Sequence, residues 1–333
     1  MDLLHFLPYP PAVLQEGSEE DDGLFEQGHI QYWRSVLDKL SQGLIQWDLF
    51  LETYSGSLLS HPTSWLSTTE HKQTLLHLAV IDNVIKLIEK LANSPHLCQK
   101  KNAFGHTPLD TAQFLNRKRA AAILKGPPEP PFCDQPNVTF YDVKKNRSIL
   151  STEYLPWPIF QNYEMLKDVL FRTKKAKQED DIPTEKVWMG IYYDTEVQKQ
   201  QCPSIAIRYI DDEVGYGAFA NQKIPSCAFV GEYTGIVEER RPRHLKDKYY
   251  CVRYSAWQMG KQKFVINAER MGNFTRFINH SDKPNLSLQS IYWKGMPRMI
   301  FIAIQEIAEG AQLTFDYGDI FWKDHSQIPR DFL

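Results

Sequence analysis

Four short segments in the last third of the chain carry residue types suited to recognising a small polar molecule. They are Val214-Gly-Tyr-Gly-Ala-Phe219, Gly231-Glu-Tyr-Thr-Gly235, the stretch RFINHSDKPN from Arg276 to Asn285, and Gln312-Leu-Thr-Phe-Asp-Tyr-Gly318. Paired glycines around Tyr216 let backbone approach a ligand closely, because glycine has no Cβ. Asn279 puts an amide donor and acceptor beside the His280 imidazole. What the segments offer is tyrosine, asparagine, histidine and backbone, with neither an evident nucleophile nor a metal cluster. No G-x-S-x-G elbow, G-x-x-x-x-G-K-[ST] loop or H-E-x-x-H pair occurs in the chain. The glycine turn also fails as a dinucleotide fingerprint, since Asn221 follows where the third glycine would be expected.

These segments sit in a stretch of short strands. Ile205, Ile207 and Tyr209 alternate, and similar runs follow at 227–237, 249–255, 263–267, 286–293 and 298–304. Upstream, residues 137–201 are mixed, with a helix expected over 160–172 from Phe160, Tyr163, Leu166, Val169 and Leu170 on one face. Residues 173–185 read as an exposed, charge-segregated loop, and GPPEPPFCDQP at 126–136 as a stiff connector. An internal repeat lies further back: Thr74-Leu-Leu-His-Leu-Ala79 and Thr107-Pro-Leu-Asp-Thr-Ala112 start 33 residues apart, each opening a helical pattern. This resembles the ankyrin repeat, with Leu75 where that family prefers Pro and Asp110 in place of His. Two repeats seldom bury enough surface alone, so residues 29–54 are read as a helical cap.

The bulk numbers describe an ordinary globular chain. Of 333 residues, 42% are hydrophobic and 24% charged, and the net charge of −3 gives no basic field for nucleic acid. The five cysteines, at 98, 133, 202, 227 and 251, form no C-x-x-C pair and read as buried, reduced and structural. The N-terminus has Asp2 where a signal peptide carries positive charge, and no run of 18 apolar residues exists. EGSEEDDG at 16–23 reads as part of a solvated acidic tail. The basic run RRPRHLKDK at 240–248 reads as a solvated loop in preference to a nucleic-acid contact.

In order and spacing the four segments resemble the SET domain of protein lysine methyltransferases, over roughly 202–322. FDYGDIFW at 315–322 further resembles the histone H3 lysine 9 subgroup and its relatives. The fold class implied is multidomain: an α-helical, ankyrin-like N-terminal part plus a β-rich SET domain of small sheets with a pseudoknot-like C-terminal motif. The organisation is then a tail at 1–28, repeats with their cap at 29–125, the connector, a flanking region at 137–201, the SET domain and a tail at 323–333.

The resemblance implies S-adenosylmethionine as cofactor, held by Val214, Gly215, Tyr216, Gly217, Tyr250, Arg276, Asn279 and His280. It implies a lysine channel walled by Tyr233, Val252, Phe315, Tyr317 and Trp322, with Tyr317 and Tyr233 catalytic and no metal in the reaction. A free lysine with pKa about 10.4 is almost wholly protonated at pH 7, so the channel must desolvate the ammonium and align the neutral amine. Aromatic rings exclude water yet tolerate a methylated cation. Whether Tyr317 also takes a proton or a water path does so stays open. A Phe at 315 implies room for di- or trimethylation. Asp282 stands where zinc-bearing SET enzymes have a cysteine, and no cysteine follows Gly318, so the resemblance implies that the tail closes the channel without zinc, with Phe321 and Trp322 nearest, or that a partner does. Gln312 replaces a common Glu and reads as a surface change.

The substrate implied is a histone tail, with a non-histone protein recruited by the repeats, or an inactive ankyrin and SET binding module, as alternatives. The repeats would bind a protein partner or brace the neighbouring domain. No membrane and no direct nucleic-acid contact are expected. The implied location is intracellular, in a eukaryotic nucleus or the cytoplasm, since similar arrangements occur in eukaryotic enzymes and in effectors that bacteria deliver into host cells.

Overall fold

The structure is a computed structural model that describes residues 19–53, 68–126, 131–141, 152–239, 250–254, 257, 264–319 and 321, with backbone alone at 19–29. The chain divides into two compact units, Met1–Pro127 and Pro128–Leu333, and the division falls inside the 126–136 connector. Among the described residues no helix is long and apolar enough to cross a membrane.

The first unit is helical. It opens with α1 (Glu19–Ser41) and α2 (Trp47–Thr53). Helix α1 starts ten residues before the expected cap, inside the stretch assigned to an acidic tail. Once Trp33, Val36, Leu37 and Leu40 are buried the helix is nucleated, and extending it N-terminally adds one hydrogen bond per residue.

There follow α3 (Leu75–Ile81), α4 (Ile85–Leu91), α5 (Pro95–Gln99), α6 (Pro108–Phe114) and α7 (Lys118–Ile123). The α3–α4 pair recurs as α6–α7 with a displacement of 33 residues, and the backbone repeats with it. Lys72 and Gly105 precede the pairs at positive φ, and Asn83 and Asn116 do so in the turns within them. Asparagine enters that region at low cost because its side chain bonds locally. Thr74 and Thr107 both cap their helices in reciprocal capping boxes. His77 Nδ1 accepts the Thr74 N–H at 3.2 Å, and Asp110 Oδ2 accepts the Thr107 N–H at 2.8 Å, so the aspartate does the histidine's work. The two copies are joined where His77 Nε2 donates to the His106 carbonyl at 3.0 Å.

The second unit is β-rich. Its strands begin with β1 (Val138–Phe140), β2 (Glu153–Tyr154), β3 (Ile159–Phe160), β4 (Ile205–Asp211), β5 (Gly215–Ala220), β6 (Phe229–Glu232) and β7 (Ile236–Glu239). They continue with β8 (Cys251–Tyr254), β9 (Phe264–Asn267), β10 (Met271–Gly272), β11 (Asn279–His280), β12 (Leu286–Trp293), β13 (Met296–Ala303) and β14 (Thr314–Phe315). They pair into small sheets in the orders β1-β4-β5, β12-β13-β6 and β3-β7-β9-β8, with two-stranded pairs β10-β2 and β11-β14. The β11–β14 pairing is parallel, so the C-terminal segment lies against the strand that precedes the β12–β13 hairpin.

Three helices lie between β3 and β4: α8 (Tyr163–Gln178), α9 (Thr184–Tyr192) and α10 (Asp194–Lys199). Helix α8 starts later than the expected 160–172 because Asn162 caps it, accepting the Met165 N–H at 2.9 Å. It also runs six residues into the expected loop, since Thr173 and Ala176 continue its buried face. Helix α9 lies directly on β12: a Cβ at Gly190 would come within 1.8 Å of the Tyr292 carbonyl oxygen. Below it Tyr193, Val197, Phe229, Ile291, Ile300 and Ile302 form one buried cluster. The cysteines are free thiols but not buried as expected: Cys227 is exposed, in a positive-φ turn before β6, and the other four are partly exposed.

At the centre of this unit Glu232 on β6 and Arg298 on β13 form a bidentate ion pair, with side chains 0% and 2% exposed. Gln200 Nε2 donates to the same carboxylate at 2.9 Å, and the Arg298 guanidinium stacks 4.8 Å from the Trp293 ring centroid. Glu232→Gln removes the counter-charge and leaves a buried guanidinium, so it should destabilise this unit by about 3–5 kcal/mol in urea unfolding.

In the first unit, burial holds His77 near a pKa of about 4, against an ordinary value of 6.5. The folded unit therefore binds fewer protons than the unfolded chain between those values, and stability is lost as pH falls from 6.5 toward 4. Roughly 3 kcal/mol is at stake. Hydrogen exchange of residues 68–126 in the full chain should accelerate across that window, and His77→Gln should flatten the dependence.

Candidate active site

Two phenols define the site, Tyr233 buried and Tyr317 half-buried. Tyr233 follows Glu232 at the end of β6, and its N–H donates to the Met299 carbonyl at 2.8 Å. Its hydroxyl donates to the Tyr250 carbonyl, also at 2.8 Å. Tyr317 follows β14, and its hydroxyl donates to the Ile278 carbonyl at 3.1 Å. Burial pushes both phenols above the ordinary tyrosine range; Cys251 and Tyr317 add to the shift of Tyr233, and Tyr250 to that of Tyr317. Both stay neutral at every physiological pH.

Rings line the space around them. Phe315 lies 4.8 Å from Tyr317 and 4.9 Å from Phe301, and Phe301 lies 6.3 Å from Tyr233, centroid to centroid. Phe321 packs edge-on against Tyr317 at 4.7 Å. Val252, on β8, is partly exposed and pairs with Ile266 two residues beyond Tyr250. Trp322, the run 240–248 and the tail 323–333 lie outside the described residues.

Beside the phenols lies the glycine turn. Asp211 Oδ1 accepts the Val214 N–H at 2.7 Å, and Gly215 has φ +78. A Cβ at Gly217 would come within 2.7 Å of Ile210 Cδ1 and 3.0 Å of Gln312 Nε2. Tyr216 is buried, its ring 6.0 Å from Phe277, and its carbonyl accepts Asn279 Nδ2 at 3.2 Å. Arg276 stacks on Tyr250 at 4.1 Å and donates to Thr152 Oγ1 at 2.7 Å. Two buried donors here, Arg276 Nε and Gln312 Nε2, have no hydrogen-bond partner among the described residues. Gln312 is therefore not the surface residue expected: its amide nitrogen is enclosed beside the glycine turn.

The third and fourth segments are zipped together. Asn285 donates from Nδ2 to the Gln312 carbonyl at 2.8 Å, and its Oδ1 accepts the Thr314 N–H at 3.0 Å. The His280 ring, on the strand that pairs with β14, accepts the Tyr317 N–H on Nδ1 at 3.2 Å. The structure thus gathers Tyr216, Tyr233, Tyr250, Arg276, Asn279, His280, Phe315 and Tyr317 through direct contacts. Sequence reading missed Thr152, Phe277 and Phe301. Thr152 carried no signal, being 124 residues from Arg276, while Phe277 and Phe301 read simply as apolar core. Among the described residues no three His, Cys, Asp or Glu side chains gather as metal ligands.

A family model for the SET domain matches residues 215–318, the span that holds all four segments save Val214. That part of the chain is similar to SET domains. Over 130 residues the chain is 31% identical to histone-lysine N-methyltransferase SUV39H1 of Xenopus laevis, covering 37% of this chain and 31% of that protein. It is 32% identical over 120 residues to histone-lysine N-methyltransferase EHMT1 of Mus musculus, covering 34% and 9%. It is 33% identical over 130 residues to histone-lysine N-methyltransferase, H3 lysine-9 specific SUVH5, of Arabidopsis thaliana, covering 35% and 16%. The chain therefore spans about a third or less of the length of these curated relatives.

Proposed function

We infer that the chain is an S-adenosylmethionine-dependent protein-lysine N-methyltransferase whose substrate is a histone lysine. The observation that carries this reading is the pair of neutral phenols, Tyr233 and Tyr317, beside Phe315 in a span that matches the SET domain. The names of the relatives support the histone, and a histone substrate in turn suggests a nuclear setting.

The residues present suit the cofactor. Gly215, at positive φ with open space where a Cβ would stand, leaves bare backbone on the turn, and Gln312 Nε2 and Arg276 Nε are enclosed donors. Val214, Gly215, Tyr216 and Gly217 would hold it on one side, Tyr250, Arg276, Asn279 and His280 on the other. When bound, S-adenosylmethionine supplies a methyl group on a positively charged sulfur. The chain's own part is to strip water from the lysine ammonium, which favours the neutral amine, and to aim that amine. Phenol oxygens that stay protonated both donate and accept, so Tyr317 and Tyr233 can orient the amine without becoming charged. Tyr317 would also offset charge developing at transfer. The channel wall is completed by Val252 and Phe321, with Trp322 next in sequence.

The 33-residue recurrence of α3–α4 as α6–α7, with matched caps, turns and hydrogen bonds, supports reading residues 68–126 as ankyrin-type repeats. In that role they would present a protein-binding surface, and recruit a substrate or a chromatin partner.

Incubation with labelled S-adenosylmethionine and histones should give labelled lysine, and Tyr317→Phe should lower kcat by about 100-fold or more. Transfer undiminished in that variant, or none from the parent chain, would remove this reading. Mass spectrometry of the product should show di- or trimethyl-lysine, and Phe315→Tyr, which adds a hydroxyl to the wall, should shift it toward monomethyl-lysine.

A further inference from the structure

We propose that Asp282 is a positioning residue for Tyr317, acting by selecting the tautomer of His280. The His280 side chain is 1% exposed, so its nitrogens must find partners inside the protein. Nδ1 lies 3.2 Å from the Tyr317 backbone nitrogen. An amide N–H can only donate, so Nδ1 must be the bare acceptor nitrogen of a neutral ring. The proton is then on Nε2, and Nε2 lies 3.0 Å from Asp282 Oδ1.

A carboxylate only accepts, which makes Asp282 the group that holds the proton on Nε2 and keeps Nδ1 open for Tyr317. Among the described residues a second carboxylate, Asp316, has its Oδ1 3.7 Å from Nδ1, too long for a hydrogen bond. With Asp282 removed, the proton can move to Nδ1. Two N–H groups would then face each other at 3.2 Å, and the Tyr317 backbone would be pushed away.

The displacement would reach the phenol. The His280 and Tyr317 rings pack edge-to-face at 5.4 Å, and the Tyr317 hydroxyl is tied to the Ile278 carbonyl, two residues before His280. Asp282, His280 and Tyr317 therefore form one chain of contacts from an exposed carboxylate, 55% accessible, to the buried hydroxyl. Its catalytic consequence rests on the methyltransferase reading above; its geometry does not.

Long-range 1H–15N correlation spectra of the full chain labelled at histidine test this, with His280 assigned by its loss in His280→Asn. The parent chain should show His280 as the Nε2–H tautomer. Asp282→Ala should move it to a mixture or to Nδ1–H, while Asp282→Asn, whose amide oxygen still accepts, should keep Nε2–H. In histone methylation Asp282→Ala should lower kcat about tenfold with KM for S-adenosylmethionine within about twofold, and Asp282→Asn should recover most of the loss. An Nδ1–H tautomer in the parent chain, or Asp282→Ala with tautomer and kcat both unchanged, would overturn the proposal. A tautomer that moves in a chain that transfers no methyl group would uphold the positioning role and sink the methyltransferase reading alone.

Discussion

The Glu232–Arg298 ion pair is the constraint on which the β-rich unit depends. Both charges are out of water, and neither could be there alone, because removing one partner strands the other in low dielectric. The pair locks β6 to β13 at the point where Tyr233 leaves β6. The Glu232 carbonyl also accepts Asn273 Nδ2 at 2.8 Å and Thr275 Oγ1 at 3.3 Å, which binds the segment leading into Arg276 to the same strand. Gln200, past the end of α10, completes the set. Glu232 thus ties Gln200 and Arg298 through its carboxylate and the segment entering Arg276 through its backbone carbonyl, and one of the two site phenols is its immediate neighbour in sequence.

The other phenol is placed by a different device. Tyr317 lies at the end of a segment that has no sheet of its own beyond the two-residue β14. Its position comes from pairing with β11 and from the Asn285 clamp, together with the bond from its own N–H to His280. Short strands contribute few ladder bonds, so side-chain bonds from Asn and His do what a longer strand would do with backbone. This explains why polar residues are set among apolar ones in the stretch from Arg276 to Asn285: the apolar residues fill the core, and the polar ones hold the C-terminal segment against it.

The helical unit shows how a repeat tolerates substitution when the physical task is preserved. His77 and Asp110 occupy equivalent places and differ in charge, size and hydrogen-bonding character. Both accept the N–H of the capping threonine, and so both close the first turn of a helix. Only His77 has a second nitrogen to reach the next copy, and the bond that acid breaks is the capping one, since a proton on Nδ1 leaves it nothing with which to accept the Thr74 N–H.

The alternation at 205–209, the runs at 286–293 and 298–304 and the two Thr-led helices were legible in sequence, since each depends on spacing along a single element. So were the site's residue types, because Tyr233, Asn279, His280 and Tyr317 lie in short motifs. The length of α8 was not, because Thr173 and Ala176 look like loop residues until something buries them. Nor were the partial exposure of the cysteines and the enclosure of Gln312, for burial belongs to the neighbours a residue acquires. The sequence by itself determined the strands, the caps and the chemical inventory. Only the tertiary structure decided that Thr152 meets Arg276, that Phe301 backs both Tyr233 and Phe315, and that Asp282 reaches His280. Those contacts join elements far apart in the chain or depend on side-chain direction, and neither is encoded in local periodicity.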